Sequence, residues 1–152
     1  MQKLKFKQTY NLEKIQELID KLVMQEIITQ NQAQYINENK ILKFVNSDIY
    51  NKIKQAKQVY KEQPFHMSIN LDNIEEKILI QGIIDLYYID ENEDIVLIDY
   101  KTDYVEECEQ ELINKYKSQL YMYKKAIEEA LNKKVKEMYI YSTYLDKEIL
   151  VN

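Results

Sequence analysis

The stretch "GIIDLYYIDENEDIVLIDYKTD", residues 82–103, constrains this chain more than any other. Two apolar runs flank the acidic link "DENED", and each run carries an aspartate, Asp85 in the first and Asp99 in the second. Runs rich in isoleucine, leucine and tyrosine read as strands, and a short polar link between two of them reads as a hairpin connection. A carboxylate buried in such a strand without a partner costs several kcal/mol or takes up a proton, so each aspartate demands a cation.

Strand geometry narrows the choice of cation. Successive side chains alternate faces, so Asp99 and Lys101 share one face and Tyr100 takes the other. If the turn is centred at residue 92, Asp85 lies across the hairpin from Asp99, and two carboxylates and one ammonium converge on one sheet face. That set suits a hard divalent ion such as Mg²⁺, held by Asp85, Asp99 and the backbone carbonyl of Tyr100. Lys101 would then hold an attacking water or offset charge growing on phosphorus. On the two-residue spacing alone, a plain Asp–Lys ion pair of little energetic worth is the simpler explanation.

The remainder of the chain reads as helices, then strands, then a helix, then strands. Leu12, Ile15, Leu18, Ile19, Leu22 and Val23 recur at helical spacing and predict an amphipathic helix from Asn11 to about Gln25. Thr29 and Gln32 form a capping-box pattern, which predicts a second helix running to about Phe44. Ser47 is a further N-cap, for a short helix through about Gln55. The period then changes: residues 58–71, 76–90 and 94–101 read as three strands of an antiparallel meander, with "DNIE" as the first turn. Ile113, Tyr116, Leu120, Tyr123, Ile127 and Ala130 mark one face of a long helix from about Glu106 to Leu131. Met138 to Tyr144 returns to strand character and is expected in the main sheet.

Composition excludes several classes. The chain has 152 residues, 45% of them hydrophobic, enough for one core. A single glycine and a single proline argue against long linkers or disordered tails. The single cysteine, Cys108, forms no intramolecular disulfide and cannot supply a four-cysteine zinc or iron–sulfur site. "MQKLKFKQTY" has no apolar signal-peptide core, and no run reaches the roughly 18 apolar residues of a membrane span, so the chain reads as soluble and cytoplasmic, with no membrane partner. A formal net charge of −5 counts against a free-standing, high-affinity nucleic-acid binder but not against one tethered to a DNA motor.

"GIIDL", "IDYKTD" and "YKSQLYMY", in this order and spacing, resemble the RecB-type branch of the PD-(D/E)XK nuclease superfamily, most closely the AddA-type nuclease domains of bacterial AddAB helicase–exonucleases. The resemblance extends from the helical lead-in through "YKEQPF" to the final strands. It implies an α/β fold of the α+β kind: a central mixed sheet with an antiparallel meander, flanked by helices. The expected division is a helical lead-in over 1–56 and a nuclease core over 57–152, together one domain. Asp85 and Asp99 would bind Mg²⁺, or Mn²⁺, with the carbonyl of Tyr100; Lys101 would be the catalytic lysine. Gln119 and Tyr123 match the Gln-x-x-x-Tyr motif, which lies beside the active site and contacts the DNA strand, although Tyr123 also falls on the apolar stripe, where a core role explains it equally. Glu62 matches a recurrent family glutamate, and a surface strand glutamate explains it nearly as well.

The resemblance further implies a single DNA strand delivered by helicase domains of the same polypeptide, an AddB-type partner, and a role in double-strand-break repair and recombination. There is no Gly-x-x-x-x-Gly-Lys-Ser/Thr loop, so no ATP site is expected within these residues. The family's histidine metal ligand lies on a helix upstream of this region, whereas the only histidine here, His66, falls in a strand segment. The chain is therefore expected to be a piece of a longer protein and to cleave weakly alone. Two alternatives stay open: a non-catalytic module that keeps the fold to dock a helicase partner, and another nuclease of the same superfamily.

Overall fold

The computed structural model describes residues 1, 3–70, 77–106 and 108–152. These fall in two compact units, one over residues 3–54 with Met1 and one over 55–152. In the first, α1 (Leu12–Met24) starts where Asn11 accepts the Lys14 N–H at 2.9 Å, and it buries Ile15 and Ile19. The Thr29 capping box is present: Thr29 Oγ1 accepts from the Gln32 amide at 3.1 Å, and Gln32 Oε1 accepts from the Thr29 amide at 2.8 Å. The helix it opens does not continue to Phe44. It ends after one turn as α2 (Gln30–Ala33), and α3 (Glu38–Val45) starts afresh where Asn37 accepts the Lys40 N–H at 3.3 Å. An asparagine side chain offers the backbone a competing partner, and α2 buries no residue that would hold a continuous helix in line. Ser47 caps α4 (Asp48–Gln55) as expected. Tyr50 centres the unit: Phe6 and Phe44 lie against its ring, and its hydroxyl donates to the Gln8 carbonyl at 3.0 Å.

The second unit is a five-stranded mixed sheet with one long helix. Its elements are β1 (Gln58–Asn70), β2 (Lys77–Ile89), β3 (Ile95–Lys101), α5 (Glu109–Leu131), β4 (Val135–Ser142) and β5 (Lys147–Leu150). Spatial order follows sequence order. The pairs are antiparallel except β3–β4, which runs parallel because α5 carries the chain back across the sheet. The expected "DNIE" turn lies outside the described residues. The "DENED" link closes as a tight turn, in which Asp90 Oδ1 accepts the amides of Asn92 and Asp94 at 2.8 and 2.9 Å. Leu86 pairs with Ile98 and Ile89 with Ile95, the register that centres the turn at residue 92.

One sheet face packs on α5. Tyr87 and Ile89 of β2, Ile95 and Leu97 of β3, and Met138 and Ile140 of β4 share a core with Leu112, Leu120, Tyr123 and Ile127 of the helix. Two details differ from expectation. The helix begins at Glu109 rather than near Glu106, after Val105 has been drawn into the same core; Ala130, in its last turn, is exposed, while Leu112 and Ala126 are buried. No helix among the described residues is long and apolar enough to cross a membrane.

Gly82, the chain's only glycine, stands opposite Phe65 in the β1–β2 ladder. A Cβ there would come within 2.8 Å of the Phe65 ring, and that ring meets Tyr123 of α5 edge-on at 5.4 Å. Glycine thus lets an aromatic ring lie across β2 and brace the helix. Gly82→Ala is expected to destabilise the fold by about 1–3 kcal/mol through this overpacking. In urea unfolding the loss should be smaller when Phe65→Leu is already present; equal losses in both backgrounds would contradict the ring contact as its cause.

Candidate active site

Along β3 the face toward α5 is apolar at Ile95 and Leu97, and at the same parity it then carries Asp99 and Lys101. Asp99 is 2% exposed. Its Oδ2 is buried with no aligned hydrogen bond among the described residues; the Lys101 ammonium, 2.6 Å away, compensates it. Lys101 Nζ also donates to Gln119 Oε1 of α5 at 2.8 Å and stands 4.1 Å above the centre of the Tyr116 ring. One ammonium therefore ties the strand carboxylate to the helix.

Asp85 comes from the neighbouring strand. The β2–β3 ladder pairs Leu86 with Ile98, and one step further the Asp85 side chain turns onto β3, where Oδ2 accepts the Tyr100 N–H at 3.0 Å. Burial pushes the Asp99 carboxyl up to about 6, against the pull of Lys101, and the adjoining Asp85 carboxylate adds to the upward push. The two acids and the lysine expected to converge do so. Gln119 joins them directly. Tyr123 takes the core position that the apolar stripe implied: it packs on Phe65, and its hydroxyl is held above the ordinary tyrosine range by burial and by the charges of Asp99 and Asp85. The Tyr100 side chain takes the opposite face, edge-on to Tyr141 at 6.5 Å.

Glu62 stands across from Asp85. The β1–β2 ladder pairs Lys61 with Leu86 and Gln63 with Ile84, omits the pair between them, and has Glu62 in the left-handed region at φ 49°. A non-glycine residue there stores roughly 1 kcal/mol or more. The strain falls at the strand position opposite a site acid. His66 is exposed and pairs with Gln81 in the β1–β2 ladder, several residues along β2 from Asp85; Cys108 is exposed and free.

Two residues, Tyr116 and Asp103, were not legible in the sequence as parts of the site. Tyr116, expected only on the apolar stripe, supports Lys101 with its ring and donates its hydroxyl to Asp103 Oδ2 at 2.8 Å; Asp103 also pairs with Lys115. The available signal was the position of Tyr116 three residues before Gln119, which puts both on one helix face.

The donor set fits a hard cation held by oxygen. A buried, incompletely bonded carboxylate oxygen beside a second carboxylate is the environment such an ion neutralises, whereas an ion preferring nitrogen or sulfur finds no ligand here. Among the described residues no group of three or more His, Cys, Asp or Glu side chains could hold a metal ion, so Asp85 and Asp99 would need carbonyl oxygen and water to complete the shell.

The five-stranded mixed sheet and the helix that carry this cluster have the architecture of a known class of enzyme fold. Residues 4–149 match the PD-(D/E)XK nuclease superfamily, and the chain belongs to it. It is similar to proteins named as subunits of ATP-dependent helicase/nucleases, of the AddA type that the "YKSQLYMY" and "IDYKTD" segments implied. The one from Clostridium kluyveri is 40% identical over 93% of this chain and 12% of its own length. Those from Clostridium novyi (strain NT) and Clostridium perfringens are 41% and 42% identical, over 98% and 96% of this chain and 13% and 12% of theirs. The chain thus spans about an eighth of the length of the curated relatives it matches.

The raised Asp99 pKa has a thermodynamic consequence. A carboxyl whose folded pKa lies above its unfolded value contributes stability that is full below about pH 4 and lost as pH rises through about 6. Metal-free protein should therefore lose on the order of 1–3 kcal/mol of stability between pH 4 and pH 7.5, and Asp99→Asn should flatten that dependence. Thermal or urea unfolding across this range checks it; parallel profiles for both proteins would contradict the assignment.

Proposed function

We propose that this chain is a Mg²⁺-dependent deoxyribonuclease domain that hydrolyses phosphodiester bonds in a single DNA strand. The observation that carries the proposal is the buried Asp99–Lys101 pair bonded through Lys101 to Gln119, with Asp85 beside it. Asp85, Asp99 and the Tyr100 carbonyl would hold the cation, and Mn²⁺ would serve as well. When bound, the cation supplies Lewis acidity at the phosphate and a water of lowered pKa.

The protein's own groups supply the rest. Lys101 places a positive charge, preorganised by its bond to Gln119 and the Tyr116 ring, where a non-bridging phosphate oxygen gains negative charge as water oxygen bonds to phosphorus and the bond to the leaving strand breaks. Its pairing with Asp99 fixes the direction of the ammonium before substrate arrives. Tyr123, held in the core with its hydroxyl toward the acids, would line the path of the strand together with Gln119.

In its biological setting the domain would belong to an ATP-dependent helicase–nuclease acting in double-strand-break repair and recombination in the cytoplasm. Helicase domains in the same polypeptide would deliver the strand, and an AddB-type protein would be the partner. The relatives' names and the small share of their length that this chain spans support this setting. Attachment also offsets a net charge of −5, which by itself disfavours encounter with DNA.

One observation favours a second reading. With two carboxylates and no third acid or histidine side chain among the described residues, the site is short of ligands, as a non-catalytic module that docks a helicase partner would allow. Cleavage of single-stranded DNA in millimolar Mg²⁺ separates the two. Lys101→Ala should lower the rate roughly a hundredfold or more with the fold intact, and Asp99→Ala should remove Mn²⁺ binding measured by calorimetry. Cleavage by folded Lys101→Ala at the normal rate would refute the catalytic role. A version extended upstream to include a histidine-bearing helix should cleave faster than this chain.

A further inference from the structure

Beyond the site, the segments that follow β3 and β4 both carry exposed tyrosines. Tyr104, three residues after Lys101, is 68% exposed, and Tyr144, two residues after Ser142, is 41% exposed. Because β3 and β4 are parallel and pair Lys101 with Ser142, both strands deliver their tyrosines to the same end of the sheet, and the rings meet edge-to-face at 4.7 Å. Tyr104 in particular buries little of its ring in the protein itself.

Both segments are anchored. The amide and hydroxyl of Thr143 donate to the Lys101 carbonyl at 2.9 and 3.2 Å, and the Leu145 amide donates to Ser142 Oγ at 3.1 Å. On the other side Asp103, next to Tyr104, accepts from Tyr116 and pairs with Lys115 of α5. The rings are therefore carried on backbone fixed to the carbonyl of Lys101 itself and to the helix bearing Gln119. Three extended residues span at most about 10 Å, so Tyr104 lies within that distance of Lys101 along the chain.

We infer that Tyr104 and Tyr144 form a stacking platform for an unpaired base of the single DNA strand, holding it in register with the phosphodiester at Asp99 and Lys101. This deepens the nuclease proposal and rests on it. The charges here favour stacking over a phosphate grip. Lys101, Lys115 and Lys147 are each already paired, with Asp99, Asp103 and Glu109, and the chain as a whole is acidic. Electrostatic attraction to phosphates, the usual source of affinity, is thus weak, whereas an aromatic face accepts any base and needs no charge. Tyr104, the more exposed of the two, keeps ring surface beyond its contact with Tyr144 on which a base can stack.

Binding of fluorescent oligothymidylate in chelator, which prevents cleavage, tests this directly. Tyr104→Ala and Tyr144→Ala should each weaken binding roughly five- to hundredfold by the same factor at low and moderate salt, while Tyr104→Phe stays near wild type. A strand of the same length with abasic sites in place of bases should bind all these proteins equally. Alanine variants that bind oligothymidylate as wild type does, an equal loss on the abasic strand, or a wild-type chain that does not bind oligothymidylate would each overturn the platform. Failure of the nuclease reading is seen separately, as wild-type protein that binds the strand but does not cleave it when Mg²⁺ is added.

Discussion

Everything at the centre of this molecule depends on one buried charge. Asp99 sits at the end of a strand whose preceding inward residues are fully apolar, beneath a helix that covers that face of the sheet. A carboxylate in that position is tolerable only with a cation at hand, and the protein supplies Lys101 on the same strand face. Lys101 must itself be held, and Gln119 and Tyr116 do so from α5. The helix in turn is braced against the meander by Tyr123 on Phe65, a contact that requires Gly82. A hydrophobic pair of the same volume would serve stability as well or better, which supports the chemical role proposed for these residues.

The acids of the "DENED" turn show the contrast. Asp90 is spent on backbone amides of its own turn, Glu93 pairs with Lys57 and Lys133, and Asp94 pairs with Lys136. Lysine neighbours hold Glu93 down to about 2, the ordinary behaviour of a surface carboxylate in an ion pair. Asp99, with a lysine just as close, moves the other way because burial outweighs the pairing. Proximity of a lysine does not distinguish a surface pair from a candidate catalytic one; the dielectric around it does.

That distinction explains what the sequence disclosed. Alternation of side chains and the centre of the turn placed Asp85, Asp99 and Lys101 on one face, since a strand's period leaves no freedom once the hairpin is recognised. The capping residues Thr29 and Ser47 each start a helix, because caps act through local hydrogen bonds. The break between α2 and α3 was hidden because Asn37 is a cap only where no packing holds the helix straight, a tertiary matter. Tyr116 beneath Lys101 and the left-handed Glu62 opposite Asp85 were hidden for the same reason: both depend on how separate elements meet.

The central claim is that Asp85 and Asp99 form a divalent-cation centre rather than a buried ion pair with Lys101. Anomalous diffraction from crystals grown with Mn²⁺ tests it most directly, because it locates the ion without reference to activity. A single peak between the two carboxylates, at oxygen-ligand distances of roughly 2.0–2.3 Å and absent from Asp99→Asn crystals, is the predicted result. A peak only at the "DENED" turn, or none near Asp99 at millimolar Mn²⁺, would contradict the account.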